Sequence, residues 1–90
     1  MSEVSDNKDR SRYELVTEGH TAFAAYEIDG DVITFTHTIV PPALQGQGIA
    51  GRLIGAALAD VRARGMKLIP QCEFVAAYLE KHPDQKDLVA

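Results

Sequence analysis

The sequence predicts an α+β domain: a mixed, mostly antiparallel sheet with two flanking helices, in the order β-β-β-α-β-α. Three observations carry that prediction. Residues 12–40 alternate side-chain character with period two and are punctuated by turn signals. Residues 49–61 switch to a helical apolar period. A short β-rich run and a second helical stripe follow over residues 66–81.

In the first strand, residues 12–17, Tyr13, Leu15 and Thr17 alternate with Arg12, Glu14 and Val16, and Glu18-Gly19 ends the run. The second, residues 21–28, sets Phe23, Ala25 and Glu27 against Ala22, Ala24, Tyr26 and Ile28. Asp29-Gly30 then supplies a hairpin turn whose two central residues take positive φ. The third strand, residues 32–40, is rich in β-branched residues and puts Ile33, Phe35, His37 and Ile39 on one face. Pro41-Pro42 stops it, because proline has no N–H for the ladder.

Helix formation resumes beyond a glycine-rich loop. Ile49, Leu53, Ile54, Ala57, Leu58 and Val61 form one apolar stripe, with Arg52, Asp60 and Arg62 off it. Arg62 and Arg64 complement the negative helix end, and Gly65 suits the position just past it. Residues 66–69 read as a short buried strand. Residues 71–81 read as a helix burying Phe74, Val75, Tyr78 and Leu79, stopped by Pro83. Leu88-Val89 adds a weak extended piece.

Residues 1–11 carry almost no apolar surface to offset ordering entropy. They are expected to be a disordered leader before one domain over residues 12–90. They form neither a signal peptide nor an amphipathic transit helix. No stretch approaches the roughly 18–20 apolar residues that span a bilayer, so a cytoplasmic chain with no membrane partner is expected. A net charge of −4 argues against a nucleic-acid partner, which calls for a basic face. Cys72 is the single cysteine, which excludes an internal disulfide framework and an all-cysteine zinc site, and no metal is expected. A monomer or weak dimer is expected. At 90 residues there is little chain from which to build two substrate sites.

The segment Val40-Pro41-Pro42-Ala43-Leu44-Gln45-Gly46-Gln47-Gly48-Ile49-Ala50-Gly51 joins a strand to a helix through glycines. Backbone N–H groups converging at a helix N-terminus hold an anion, typically a phosphate. The plainer alternative is that these glycines only make a tight turn. A Walker A loop is excluded, since no Gly-Lys-Ser/Thr follows. Gly46-x-Gly48-x-x-Gly51 matches the dinucleotide fingerprint as a string, but five residues, two of them proline, separate the strand end from Gly46. The chain is also short for a doubly wound fold. Gln45-x-x-Gly48-x-Ala50 fits its surroundings better.

Those residues resemble the GCN5-related N-acetyltransferases, whose acetyl-CoA loop follows Arg/Gln-x-x-Gly-x-Gly/Ala between a strand and a helix. Pro42 before the loop and Leu53 and Leu58 in the helix agree. Over about residues 13–89 the chain is similar to the compact branch of that family, the small N-acetyltransferase domain-containing proteins. That branch carries His-Thr-x-Val-Pro, here His37-Thr38-Ile39-Val40-Pro41, and Pro-x-Cys-x-Phe, here Pro70-Gln71-Cys72-Glu73-Phe74. The resemblance implies that the N–H groups of Gln45, Gly46, Gln47, Gly48, Ile49 and Ala50 cradle the CoA pyrophosphate. It implies too that the main chain of Ile39 and Val40 pairs with the pantetheine arm like an extra strand. Gly51 and Gly55 would let the helix approach the sheet or cofactor closely. Arg52 would screen the phosphates, or is only a solvated surface arginine.

Acetyl transfer to an amine needs a neutral nucleophile, an oxyanion donor and a proton for the departing thiolate. Tyr78 resembles the family tyrosine near the CoA sulfur, although His82 and Pro83 replace the usual glycine and aromatic residue beyond it. Its place in the apolar stripe fits a core residue equally. Cys72 follows a buried strand and opens a helix, where the dipole favours negative charge on sulfur, against neighbouring Glu73. The resemblance sets Cys72 near the thioester, where it would accept the acetyl group and pass it on; the alternative is a thiol packed as a small hydrophobe. His37 is the candidate to take up a proton beside the cofactor edge, or else a satisfied core histidine. Glu14 and Glu27 would attract a cationic amine or merely solvate the sheet.

The leading expectation is an acetyl-CoA-dependent N-acetyltransferase acting on an unidentified amine, directly or through Cys72. The alternative is an acyl-CoA-binding module with little or no catalysis, and a weaker one a dinucleotide-binding fragment. Larger members of the family build much of the acceptor pocket from N-terminal helices. None is predicted here, so the acceptor side is expected to be an open groove or one completed by a partner.

Overall fold

A computed structural model of the chain describes residues 4–90. The elements are β1 (Val4–Asn7), β2 (Arg12–Thr17), β3 (His20–Asp29), β4 (Val32–Ile39), α1 (Ile49–Ala63), β5 (Lys67–Pro70) and α2 (Glu73–Lys81). They form a mixed five-stranded sheet in the order β1-β2-β3-β4-β5, antiparallel except for the parallel pair β4–β5. Tyr13, Leu15, Ala22, Ala24, Ile33, Phe35 and Leu68 share one buried cluster with the apolar stripes of both helices, which makes two layers.

The sheet starts earlier than expected. Residues 4–7 of the supposed leader form β1, paired with β2 from Val4↔Leu15 to Asn7↔Arg12; residues 1–3 lie outside the described residues. Long-range polar contacts supply the ordering energy that composition does not show. The Tyr26 hydroxyl donates to Asp6 Oδ1 (2.5 Å) and the Arg64 guanidinium donates to Asp6 Oδ2 (2.7 Å), partners 20 and 58 residues away. Val4 packs against the core.

The hairpin turns also differ from the expectation. Glu18 (φ 52°) and Gly19 (φ 76°) both take positive φ between β2 and β3. The β3–β4 turn sits on Gly30 and Asp31 instead, because Asp29 pairs with Val32, and there Gly30 alone has positive φ (63°).

A β-bulge decides what β4 presents. Tyr26 pairs with Phe35 and Ala25 with His37, so Thr36 is an extra residue in β4. An extra residue reverses the alternation. Ile33 and Phe35 are buried before it and Thr38 after it, while His37 and Ile39 turn outward. The single face expected for Ile33, Phe35, His37 and Ile39 is therefore broken, and His37 is no core histidine.

All six residues of the α1 stripe are buried. The Gly65 N–H donates to Arg62 O and the Met66 N–H to Val61 O, each at 3.1 Å, with Gly65 at φ 67°. This is a Schellman motif. In α2, Cys72 stands at the N-cap and Val75 and Leu79 are buried. Phe74, expected in the core, is 47% exposed, and Tyr78 is only partly buried. The tail is a 3₁₀ turn (Pro83–Leu88) followed by a bridge from Val89 to Leu68. Arg62 forks onto Asp87 at 2.9 and 2.8 Å and holds this segment against α1.

The Tyr13 hydroxyl donates to Asp60 Oδ2 (2.6 Å), and Arg64 bridges Asp60 (3.0 Å) to Asp6. Burial first, and then the accepting carboxylates, push the Tyr13 and Tyr26 hydroxyls well above their ordinary value of 10.0. Below that pH both phenols are protonated folded or unfolded, and their contribution is complete. Above it the unfolded chain ionises first, so stability falls by up to about 1.4 kcal/mol per pH unit for each tyrosine. Urea titrations from pH 8 to 11.5 should show this slope. A Tyr13→Phe/Tyr26→Phe double variant, less stable at pH 8, should lose stability more slowly with pH.

Candidate functional site

The loop between β4 and α1 is held from within. Leu44 is fully buried beneath it, the Gln45 side-chain amide donates to Val40 O (3.1 Å) and the Gln47 amide donates to Ala43 O (3.2 Å). Gly46 (φ 81°) and Gly48 (φ 72°) supply the left-handed steps that bring the chain round to the helix. Arg52 N–H donates to Gly48 O (3.1 Å), the first bond of the helical ladder. The N–H groups of Ile49, Ala50 and Gly51 precede it and have no helical acceptor. No side chain caps this end and its first turn carries no acidic residue, so among the described residues the positive pole of this 15-residue helix has no capping or first-turn acid to compensate it.

A cleft of ≈ 510 Å³ opens between this helix start and the end of β4. Its walls include Ile39, Val40, Gln45, Gly46, Gly48, Ile49, Ala50 and Gly51, all expected at the cofactor, together with Thr38, Leu44 and Phe74, to which the sequence assigns no contact with it. Gln47 serves the loop instead of the cleft, and Arg52 lies exposed on α1 outside this lining. The cleft exists because β5 pairs with β4 only from Val32 to Phe35. The Cys72 N–H then donates to Phe35 O (2.9 Å) and the chain turns into α2, leaving the outer half of β4 without a strand on that side.

Two smaller hollows adjoin the cleft. One, ≈ 400 Å³ between α1 and α2, contains Tyr78, whose ring stacks on His82 at 4.1 Å. A Cβ on Gly55 would lie 3.0 Å from the Tyr78 hydroxyl, so Gly55 serves the approach of that tyrosine, whereas one on Gly51 would meet nothing within 4 Å. The other hollow, ≈ 250 Å³, is lined by Thr36, His37, Thr38, Gln71, Cys72, Glu73 and Phe74. Cys72 is 4% exposed, with Sγ 3.2 Å from Thr38 Oγ1. His37 Nδ1 lies 3.3 Å from Thr36 Oγ1, and its ring meets Phe23 edge-on.

The structure thus brings Cys72 and His37 to one hollow and places Tyr78 in the other. The burial of Thr38 follows from the bulge, and an unbroken alternation of Thr34, Thr36 and Thr38 hides it. Glu14 is occupied by Arg12 (2.5 Å), which holds its carboxyl below the usual range. Among the described residues no group of three or more His, Cys, Asp or Glu side chains is arranged to hold a metal ion. No helix among them is long and apolar enough to cross a membrane.

Comparison with known proteins agrees with this geometry. Residues 12–88 match the family model described as GCN5-related N-acetyltransferase. The NMR solution structure of a GCN5-like protein from Staphylococcus aureus superposes with a TM-score of 0.73 at 27% identity, covering 100% of this chain and 91% of that one. The match spans all of the sheet from β2 onward and the glycine loop, and the chain belongs to the GCN5-related N-acetyltransferases, a family that carries out acetyl transfer and generally uses acetyl-CoA.

Proposed function

We propose that the protein moves an acetyl group from acetyl-CoA to an amine. The observation that carries this is the ≈ 510 Å³ cleft joining a helix start without a side-chain cap to the end of β4, which pairs with β3 but not with β5. The N–H groups of Gly46, Gly48, Ile49, Ala50 and Gly51 hold the pyrophosphate, with Arg52 next along the helix screening its charge. The main chain of Ile39 and Val40 takes the pantetheine arm as an added strand, which leads the thioester toward Thr38. The cytoplasm, with its reduced thiols, is the compartment that suits this chemistry.

A relay through Cys72 is favoured over direct attack by the sharing of one hollow with His37 and by the Thr38 hydroxyl at 3.2 Å. In the relay the Cys72 sulfur forms a bond to the acetyl carbonyl carbon, the bond to the CoA sulfur breaks, and CoA leaves as the thiol with the Cys72 proton. The amine nitrogen then attacks the Cys72 thioester, and its proton returns to the cysteine sulfur by way of His37, giving the amide and the free thiol. Tyr78, across Phe74, lines the neighbouring hollow and is the donor a direct attack would draw upon.

Incubation with acetyl-CoA and a panel of peptides and polyamines, read by intact mass, tests this. The relay expects one acetyl group on the wild type, none on Cys72→Ala, and loss of amine product in that variant. Unchanged product from Cys72→Ala assigns direct attack instead, with His37→Gln then slowing it by roughly 100-fold or more. CoA binding without product for any amine leaves a binding module, and no CoA binding overturns the proposal.

A further inference from the structure

Phe74 is a large aromatic left 47% exposed on the first turn of α2, although its helix has a core to bury it in. It borders the ≈ 510 Å³ cleft, the ≈ 400 Å³ gap between the helices and the ≈ 250 Å³ hollow at Cys72. The three spaces differ in character. Around Cys72 the other walls are Thr36, His37, Thr38, Gln71 and Glu73, which are polar and unsuited to an alkyl chain. Between the helices, Tyr78, Lys81 and His82 line the gap together with Ala50, Gly51, Ile54 and Ala77, and these last four are apolar or bare. An acyl chain longer than acetyl has one favourable direction, into the gap between α1 and α2, and the Phe74 ring stands at the entrance to it.

We propose that Phe74 is a specificity-determining residue that restricts the donor to short acyl-CoA thioesters by closing the interhelical gap to the acyl chain. The inference rests on the cleft being the CoA site. With the ring in place, the space beyond the thioester carbonyl admits an acetyl group. With the ring removed, cleft and gap become one channel, and its apolar wall at Ala50, Ile54 and Ala77 accepts a straight alkyl chain. The half-exposed position makes truncation tolerable for the fold, so the effect falls on selectivity.

The test is calorimetric titration of wild type, Phe74→Ala and Phe74→Ala/Ala77→Phe with free CoA, acetyl-CoA and hexanoyl-CoA, after thermal melts establish that each variant folds. The expected result is that Phe74→Ala shifts the hexanoyl-to-acetyl affinity ratio by about tenfold or more toward hexanoyl. Ala77→Phe refills the gap from the same helix and should return the ratio toward that of the wild type. Equal ratios in wild type and Phe74→Ala, with free CoA bound alike by both, would overturn the role of Phe74 alone. Absence of free CoA binding by the wild type would overturn the cleft assignment, and this inference with it.

Discussion

Gly48→Val is expected to abolish measurable CoA binding while the sheet stays folded. Gly48 takes φ 72° at the N-cap of α1, and a Cβ there would meet nothing within 4 Å. The penalty is therefore conformational, not steric. A β-branched residue in the left-handed region costs about 1–2 kcal/mol, and the backbone relieves it by swinging back toward negative φ. That movement turns the N–H groups of Ile49 and Ala50 away from a shared focus. Hydrogen bonds to a charged partner are worth about 1.5–3 kcal/mol each, so losing two weakens binding more than about 100-fold. Calorimetry with CoA, alongside a thermal melt, separates this from unfolding. Gly30→Val is the matched control, because Gly30 takes a similar positive φ (63°) with open space around it and lies in the β3–β4 turn, outside the cleft. An unchanged Kd for Gly48→Val would remove the loop as the anion site.

Phe35→Ala carries the largest expected effect on stability. The side chain is fully buried, with the rings of Tyr13 and Tyr26 at 6.1 and 6.5 Å. Truncation removes its apolar area from the core and leaves a cavity under the sheet, at a cost of about 3–5 kcal/mol. Domains of this kind are stable by only about 5–15 kcal/mol, and a 90-residue chain has a small core to draw on. Urea unfolding followed by circular dichroism should show a much lower midpoint. The damage should also reach the site, because Phe35 O accepts the Cys72 N–H that starts the turn into α2. A loss below about 1 kcal/mol would mean that neighbouring side chains collapse into the space.

What the residue order revealed, and what it hid, follows from the range of the forces involved. Gly46 and Gly48 were legible because a left-handed step selects glycine whatever the rest of the chain does. The α1 stripe was legible because a 15-residue helix repeats its periodicity several times over. β1 was hidden because its hold depends on Asp6 meeting Tyr26 and Arg64, which no local pattern records. The bulge at Thr36 was hidden as well, since alternating threonines look like a regular strand, and the burial of Thr38 beside Cys72 went with it. The exposure of Phe74 was hidden for a third reason. Apolar residues four apart on a helix mark a face that avoids water, and periodicity alone does not distinguish a protein core from the wall of a ligand cleft.

The order of strands in the sheet is the order of strands in the chain. The first three pairings are hairpins whose closure costs little chain entropy, so the meander from β1 to β4 can assemble by local steps. The parallel pairing of β5 with β4 is different, because it closes only after the loop and α1 have been laid across the sheet. The cleft at the end of β4 lies between β4 and that crossover, so it is complete only once this longer closure is made. Hydrogen exchange should find that the β4–β5 pairing opens more readily than the hairpins of the meander. A ligand bound across β4 and α1 would bridge that junction, and so would act as the clasp of the fold as well as a substrate.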